Sequence, residues 1–298
     1  MFKMEDIHLG SDICGRWHNR CYKVSKLLGR GGTGSVFLAQ RVDDGKKVAL
    51  KISCVGEDLI YEYHSLTDMA CLSMVPEAIE LDEWHGYTFL VLEYIEGYDL
   101  SYYIGAGKCS YAGAVRLGCI LAFLMSKVWG KGYCLTDVKP ENVMVDIANR
   151  RIIVIDWSSL TEADAPVKEF TPTYDIASWG VGRRLADQRY MVFAISMIMT
   201  VLIMGKSYSP VSVSIDEVTE DIKRTKCPVG VRNILIAGLK GRYDTLQQFY
   251  NAMNGLDIYD QSSENDRMDK IINITLAAAA LFAFLSMSIV SENVIVND

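Results

Sequence analysis

Leu135-Thr136-Asp137-Val138-Lys139-Pro140-Glu141-Asn142 places a carboxylate, an ammonium and an amide within six positions. Such a carboxylate can orient a hydroxyl and take its proton, the lysine can offset charge on a group in transfer, and the amide can hold a divalent cation. Fourteen residues after Asn142, Asp156 closes the run Ile152 to Ile155 and offers the cation a second ligand. Upstream, Gly29-Arg30-Gly31-Gly32-Thr33-Gly34-Ser35-Val36 lies between two β-forming runs. Its glycines allow positive φ and leave room for backbone N–H groups to approach phosphate oxygens. No helix follows, which argues against a dinucleotide fold. Seventeen residues beyond Gly34, Val48-Ala49-Leu50-Lys51 carries an ammonium on an apolar strand, suited to binding α- and β-phosphates. Each residue alone fits an ordinary turn or a solvated charge. Together, in this order, they point to phosphoryl transfer.

The elements that must position these groups are readable from periodicity. Val24 to Leu28, Ser35 to Ala39 and Lys47 to Ile52 read as antiparallel strands, the last two joined by the hairpin signal Asp43-Asp44-Gly45. Glu57 to Met74 has helical spacing, and Ala78 to Leu81 and Tyr87 to Glu93 read as strands joined across Trp84-His85-Gly86. Helices dominate from Gly97. Ala114 to Trp129 aligns Leu117, Leu121, Leu124 and Val128 on one stripe before Gly130 and Gly132 stop it. Tyr190 to Met204, interrupted by Ser196 and Thr200, is too short to span a bilayer and predicts a buried core helix. Strands followed by helices predict an α+β protein with two lobes and a cleft.

The chain has 298 residues, half of them hydrophobic, and a net charge of −7, which argues against general affinity for nucleic acid. Eight cysteines, at 14, 21, 54, 71, 109, 119, 134 and 227, include no Cys-x-x-Cys pair and no zinc spacing, so most are expected to be reduced thiols of a cytosolic domain. MFKMEDIHLG lacks the apolar run of a secretory signal. Ile271 to Val290 is twenty residues without a charge, the length that crosses a hydrocarbon core of roughly 30 Å. Arg267 and Lys270 precede it, whereas Ser291 to Asp298 has no Lys or Arg, so residues 1–270 are expected in the cytosol with the C-terminus outside the cell membrane. The polar segment up to Lys270 reads as a juxtamembrane linker.

Taken as a set, these motifs resemble the eukaryotic-like (Hanks-type) protein kinase family over roughly Tyr22 to Gly255, most closely short bacterial serine/threonine kinases with a C-terminal anchor. The resemblance implies an N-terminal extension (1–21), a sheet-plus-helix N-lobe (22–95), a mostly helical C-lobe (96–255), a linker (256–270), one transmembrane helix (271–290) and a short external tail (291–298). It implies ATP with Mg2+ or Mn2+ as cofactors. Gly29, Gly31, Gly34 and Val36 would cover the nucleotide, and Lys51 would pair with a helical glutamate, Glu62 or else Glu57. Glu93 and Ile95 would form the adenine hinge, with Asp99 near the ribose. Asp137 would accept the hydroxyl proton, Lys139 would meet the γ-phosphate, and Asn142 and Asp156 would hold metal. Asp187 would brace the catalytic loop. Lys139, with Thr171-Pro172-Thr173-Tyr174, follows the serine/threonine pattern. Implied partners are protein substrates including the chain itself, the lipid bilayer and other copies in the membrane plane.

The departures are informative. Leu135-Thr136 replaces His-Arg, removing the arginine that grips a phosphorylated activation segment, so activity is expected not to need that switch. Asp156-Trp157-Ser158 replaces Asp-Phe-Gly, and Ser158 should make a flip of Asp156 rarer. Ile176-Ala177-Ser178 replaces Ala-Pro-Glu, leaving Arg242 as a late arginine to be met by Asp244, by water or by an open pocket. Ile155-Asp156-Trp157 also resembles aminoglycoside and choline kinases, although those tend to place His where Lys139 stands. The altered motifs leave a pseudokinase-type docking protein as the remaining reading.

Overall fold

The computed structural model describes residues 7–31, 34–106, 109–256, 271–272 and 274–275. The chain divides into two compact units, Met1–Glu96 with Ile153–Ser158, and Gly97–Ile152 with Ser159–Asp298.

The first unit is built on six strands, β1 (Asp12–Cys14), β2 (Cys21–Arg30), β3 (Gly34–Arg41), β4 (Lys47–Ser53), β5 (Ala78–Trp84) and β6 (Tyr87–Glu93), with α1 (Gly56–Asp68) between β4 and β5. The order is β1-β2-β3-β4-β6-β5, and every neighbouring pair is antiparallel. Alternation along β3 and β4 sends Phe37, Ala39, Val48, Leu50 and Ile52 into one core with Tyr22, Val24, Phe89 and Val91. The twist curls this sheet until the β1–β2 loop reaches β5 at the opposite edge, where Arg16 N–H donates to the Glu83 carbonyl at 3.0 Å.

Cys14 and Cys21 are directly opposed in the β1–β2 register and form a disulfide. The expectation of reduced thiols therefore fails for this pair, while Cys54, Cys71, Cys109, Cys119, Cys134 and Cys227 are free. Sequence spacing could not show the bridge, because only strand pairing brings the two residues together. The helix expected from Glu57 to Met74 ends at Asp68. Beyond it, turns with Leu72 N–H on Met69 O and Val75 N–H on Leu72 O bury Met69, Leu72 and Val75 without helical continuation.

In the second unit come β7 (Gly97–Asp99), α2 (Leu100–Ala106), α3 (Tyr111–Gly130), β8 (Tyr133–Leu135), β9 (Val143–Asp146), β10 (Arg151–Val154, where the chain returns to the first unit), β11 (Leu160–Glu162), α4 (Gln188–Met204), α5 (Ile215–Arg224), α6 (Val229–Leu239) and α7 (Leu246–Asn254). Two small sheets, β10-β9-β7 and β11-β8, hold the loops. Helix α4 is buried from Tyr190 through Leu202, as its apolar run requires, with Asp187 as its N-cap and Gly205 at φ 64° ending it. Small residues bring the helices close. A Cβ on Gly118 of α3 would meet the Met199 and Met253 sulfurs at 2.4 and 2.9 Å, and one on Gly238 of α6 would lie 1.9 Å from Ser196 Oγ of α4.

Among the described residues only α3 is long and apolar enough to cross a membrane, and 72% of its apolar window is buried, as befits a core helix. Of the run Ile271 to Val290, residues 271–272 and 274–275 are helical, with Ile271, Ile272 and Thr275 buried. Thr275 Oγ1 accepts from Ile152 N–H at 3.2 Å and donates to the Ile271 carbonyl at 3.0 Å. The rest of the expected transmembrane helix, the external tail and the linker beyond Leu256 lie outside the described residues.

Candidate active site

In the first unit, β4 delivers Lys51 opposite Val36 of β3, so the two side chains share a face, the one opposite the core residues Phe37 and Leu50. Helix α1 turns Glu62 inward with Leu59 and Leu66, at helical spacing. Lys51 Nζ lies 2.6 Å from Glu62 Oε2 and 3.6 Å from Asp156 Oδ1. Glu57, the other glutamate considered, is exposed in the first turn of α1. The Glu62 side chain is 1% exposed and its Oε1 has no hydrogen-bond partner. Burial raises the Glu62 pKa, opposed by the Lys51 charge. For Lys51, burial acts downward but is outweighed by Glu62 and Asp156, which raise its pKa and keep it charged. Asp156 accepts from both Ser158 N–H (3.2 Å) and Ser158 Oγ (2.8 Å), and the Trp157 indole N–H donates to the Val154 carbonyl at 2.8 Å.

Neither Gly29 nor Gly31 has a positive φ. A Cβ on Gly34 would lie 2.4 Å from the Ile52 carbonyl, so this glycine permits close strand approach, while open space surrounds the would-be Cβ of Gly29. Glu93 is tied by its N–H to Glu77 O at 2.9 Å and by its carboxylate to Glu77 N–H at 3.3 Å, and Ile95 is buried.

In the second unit, the β8–β11 pairing sets Leu135 opposite Leu160 and fixes the chain that leaves β8. Asp137 Oδ2 accepts from Lys139 Nζ at 2.5 Å and Oδ1 from Thr171 Oγ1 at 2.7 Å, while Lys139 Nζ lies 3.3 Å from Thr171 Oγ1. Asp137 N–H donates to Ser159 Oγ at 3.0 Å, and Asn142 Nδ2 donates to the Asp137 carbonyl at 3.0 Å from a 3₁₀ turn opened by Pro140. That bond orients the Asn142 amide and leaves its oxygen out of the contact with Asp137. Thr171 and Ser159 were not assigned to the site from sequence, although Thr171 belongs to a motif already noted there; its distance from Asp137 along the chain hid the contact.

Thr136, standing where the family has arginine, is buried and donates to the Ser159 and Glu169 carbonyls at 3.0 and 3.1 Å. Asp175 is buried and accepts from Ser178 N–H at 2.9 Å and from Arg184 at 2.7 Å. Burial would raise its pKa, but Arg184 and Ser178 hold it below the usual value. Of the outcomes expected for Arg242, exposure to water is the one found: Asp244 pairs with Arg189 instead, and Arg184 is the arginine that meets a carboxylate of this segment. Asp99 Oδ1 accepts from Tyr102 N–H (3.1 Å) and Ser101 Oγ (2.5 Å), which caps α2. Asp187 caps α4 through Tyr190 N–H at 2.8 Å, and its carbonyl faces the Cys134 thiol at 3.8 Å, just before the catalytic loop.

Within the second unit a carboxylate is bonded to a lysine and a threonine beside an oriented amide, and within the first a buried lysine–glutamate pair lies next to an aspartate; both are sets of groups that phosphoryl-transfer chemistry uses. The model for the protein kinase domain matches residues 22–271, and the chain belongs to that family. It is an ATP-dependent protein kinase, and its family works with Mg2+ or Mn2+. It is 27% identical to the serine/threonine-protein kinase YabT of Bacillus subtilis, over 82% of this chain and 74% of that protein. It is 24% identical to Pkn1 of Myxococcus xanthus over 63% of this chain, and 27% identical to pkn2 of the same organism over 62%. The chain spans only 29% and 24% of those two longer proteins.

Proposed function

We propose that the chain is a serine/threonine protein kinase with proteins, including other copies of itself, as substrates, and that the part of the apolar run 271–290 beyond Thr275, whose hydroxyl is held by Ile152, tethers it to the cell membrane with residues 1–270 cytoplasmic. The observation that carries the catalytic reading is Asp137 held on both oxygens, by Lys139 and by Thr171. Bound Mg-ATP supplies the γ-phosphoryl group and the metal charge that offsets its phosphates. Lys51, kept charged by Glu62, grips phosphate oxygens, while Asn142 and Asp156 offer oxygen ligands to the metal. Asp137 aligns the incoming hydroxyl and takes its proton, and Lys139 offsets charge on the group in transfer. Thr136 anchors its segment to backbone carbonyls, which supports turnover without a phosphorylated activation segment. Lysine at 139 favours protein over small-molecule substrates, and the presence of Lys51, Asp137, Asn142 and Asp156 favours an enzyme over a docking protein.

Incubation with labelled ATP, Mg2+ and a cell extract should label serine and threonine, and Asp137→Asn should remove the label while preserving the fold. Label on an aminoalcohol or sugar, or persisting in Asp137→Asn, would overturn the reading. Fractionation of expressing cells tests the tether: the full chain should sediment with membranes and a chain ending at Lys270 should not.

A further inference from the structure

The loop between β1 and β2 carries a second group of chemistry-bearing side chains, remote in sequence from those above. His18 Nδ1 lies 3.1 Å from Asp82 Oδ2 and 4.0 Å from Glu80 Oε1, and one ligand atom from each residue falls within 4.8 Å of the others. Glu80 and Asp82 alternate along β5 and so project from one face. Their side chains are 1% and 0% exposed, against 50% for His18. Asp82 is fixed by the N–H groups of Trp17 (2.9 Å), His18 (2.9 Å) and Glu83 (2.7 Å). Glu80 Oε2 accepts from Arg20 at 2.8 Å, but Oε1 is buried and, among the described residues, has no hydrogen-bond partner of normal geometry; the Tyr22 hydroxyl, also buried and without one, is the protein group that interacts with Glu80. A buried carboxylate oxygen left unsatisfied is costly enough to demand an explanation.

We propose that His18 Nδ1, Glu80 Oε1 and Asp82 Oδ2 bind one divalent transition-metal ion, Zn2+ in preference to Mg2+. An imidazole nitrogen with two carboxylate oxygens suits zinc, whereas Mg2+ takes oxygen ligands almost exclusively. Tetrahedral bonds of zinc length set ligand atoms roughly 3.3 Å apart. The His18–Asp82 separation already meets this; on the same geometry His18 and Glu80 must close by about 0.7 Å, and the Glu80 and Asp82 oxygens, up to 4.8 Å apart, by up to about 1.5 Å. The fourth position faces solvent beside His18, and the ion would satisfy Oε1. It would also pin the loop at one edge of the curled sheet to the strand at the other.

The test is calorimetric titration of ZnCl2 into the chelator-treated full chain, with excess MgCl2 and no nucleotide, beside thermal melts. One equivalent should bind and raise the melting temperature. His18→Gln and Glu80→Gln should each weaken binding by more than the roughly 10–100-fold lost with an outer-shell partner. Asp156→Asn should bind zinc normally, which separates this site from the nucleotide metal. Equal affinity in wild type and His18→Gln, no binding at all, or a melting temperature that follows pH but not zinc would overturn the proposal; the last result would put a proton on His18 in place of the metal.

Discussion

Replacing Lys51 by methionine should destabilise the protein through Glu62, and the effect should depend on pH. Glu62 is 1% exposed and Lys51 24%, so the pair is largely withdrawn from water. Removing one partner of such a pair leaves a buried charge uncompensated, at a cost of about 3 to 5 kcal/mol. Because Lys51 keeps some solvent contact, the lower end applies, a drop of about 6 to 12 °C in melting temperature for a domain of this size. Burial already raises the Glu62 pKa. A group whose folded pKa lies above its unfolded value stabilises below the unfolded value, and that contribution is lost as pH rises through the folded one. Lys51 opposes the rise, so without it the shift grows: the penalty should be full at alkaline pH, where the carboxyl is ionised, and shrink as pH falls toward the ordinary glutamate value and the carboxyl takes a proton. Melting curves of wild type, Lys51→Met, Glu62→Gln and the double variant across that range would measure the coupling, expected at about 1 kcal/mol or more. A pH-independent loss, or a double variant no more stable than Lys51→Met, would refute the reasoning.

Three further outcomes are expected. Thr171→Val should lower kcat by up to ~100-fold with KM for ATP little changed, because it frees one oxygen of Asp137, and Thr171→Ser should restore most of the activity. Arg184→Met should lower the melting temperature at neutral pH by stranding the buried Asp175; since the Asp175 pKa is held low in the folded protein, the wild-type advantage should be lost as pH falls through that depressed value, which parallel acid titrations would show. Cys14→Ser with Cys21→Ser should reduce stability by about 2 to 3 kcal/mol in denaturant titration, and a thiol reductant should reproduce this in the wild type.

What the sequence disclosed was whatever depends on local pattern. Lys51 was legible from the apolar strand that carries it, whereas Glu62 was only the better of two matches to the resemblance, and its burial beside Leu59 and Leu66 on α1 is what separates it from Glu57. Asp137, Lys139 and Asn142 are bound into one short loop, so their spacing carries their geometry. Contacts between distant segments were hidden. Thr171 reaches Asp137 only after β8 and β11 pair, and the Asp175–Arg184 pair replaces the expected glutamate–arginine contact without any motif to announce it. The local bonds of Asp99 Oδ1 to Ser101 and Tyr102, which cap the following helix, were not read from the sequence. Nor was the closeness of the Ile52 carbonyl that excludes a side chain at Gly34.

Trp157 has a pharmacological consequence. Its side chain is fully buried and its indole N–H is bonded to Val154, while Ser158 grips Asp156 from two donors. An inhibitor that gains affinity by occupying the space vacated when the aspartate swings outward must first extract this indole. Burial of some 150–250 Å² of aromatic surface at ~25 cal/mol per Å² makes that about 4 to 6 kcal/mol. Roughly three to four orders of magnitude in Kd are thereby forfeited before the compound makes a contact of its own. Chemical screens against this enzyme will be rewarded by scaffolds that leave the Asp156-Trp157-Ser158 segment where it stands.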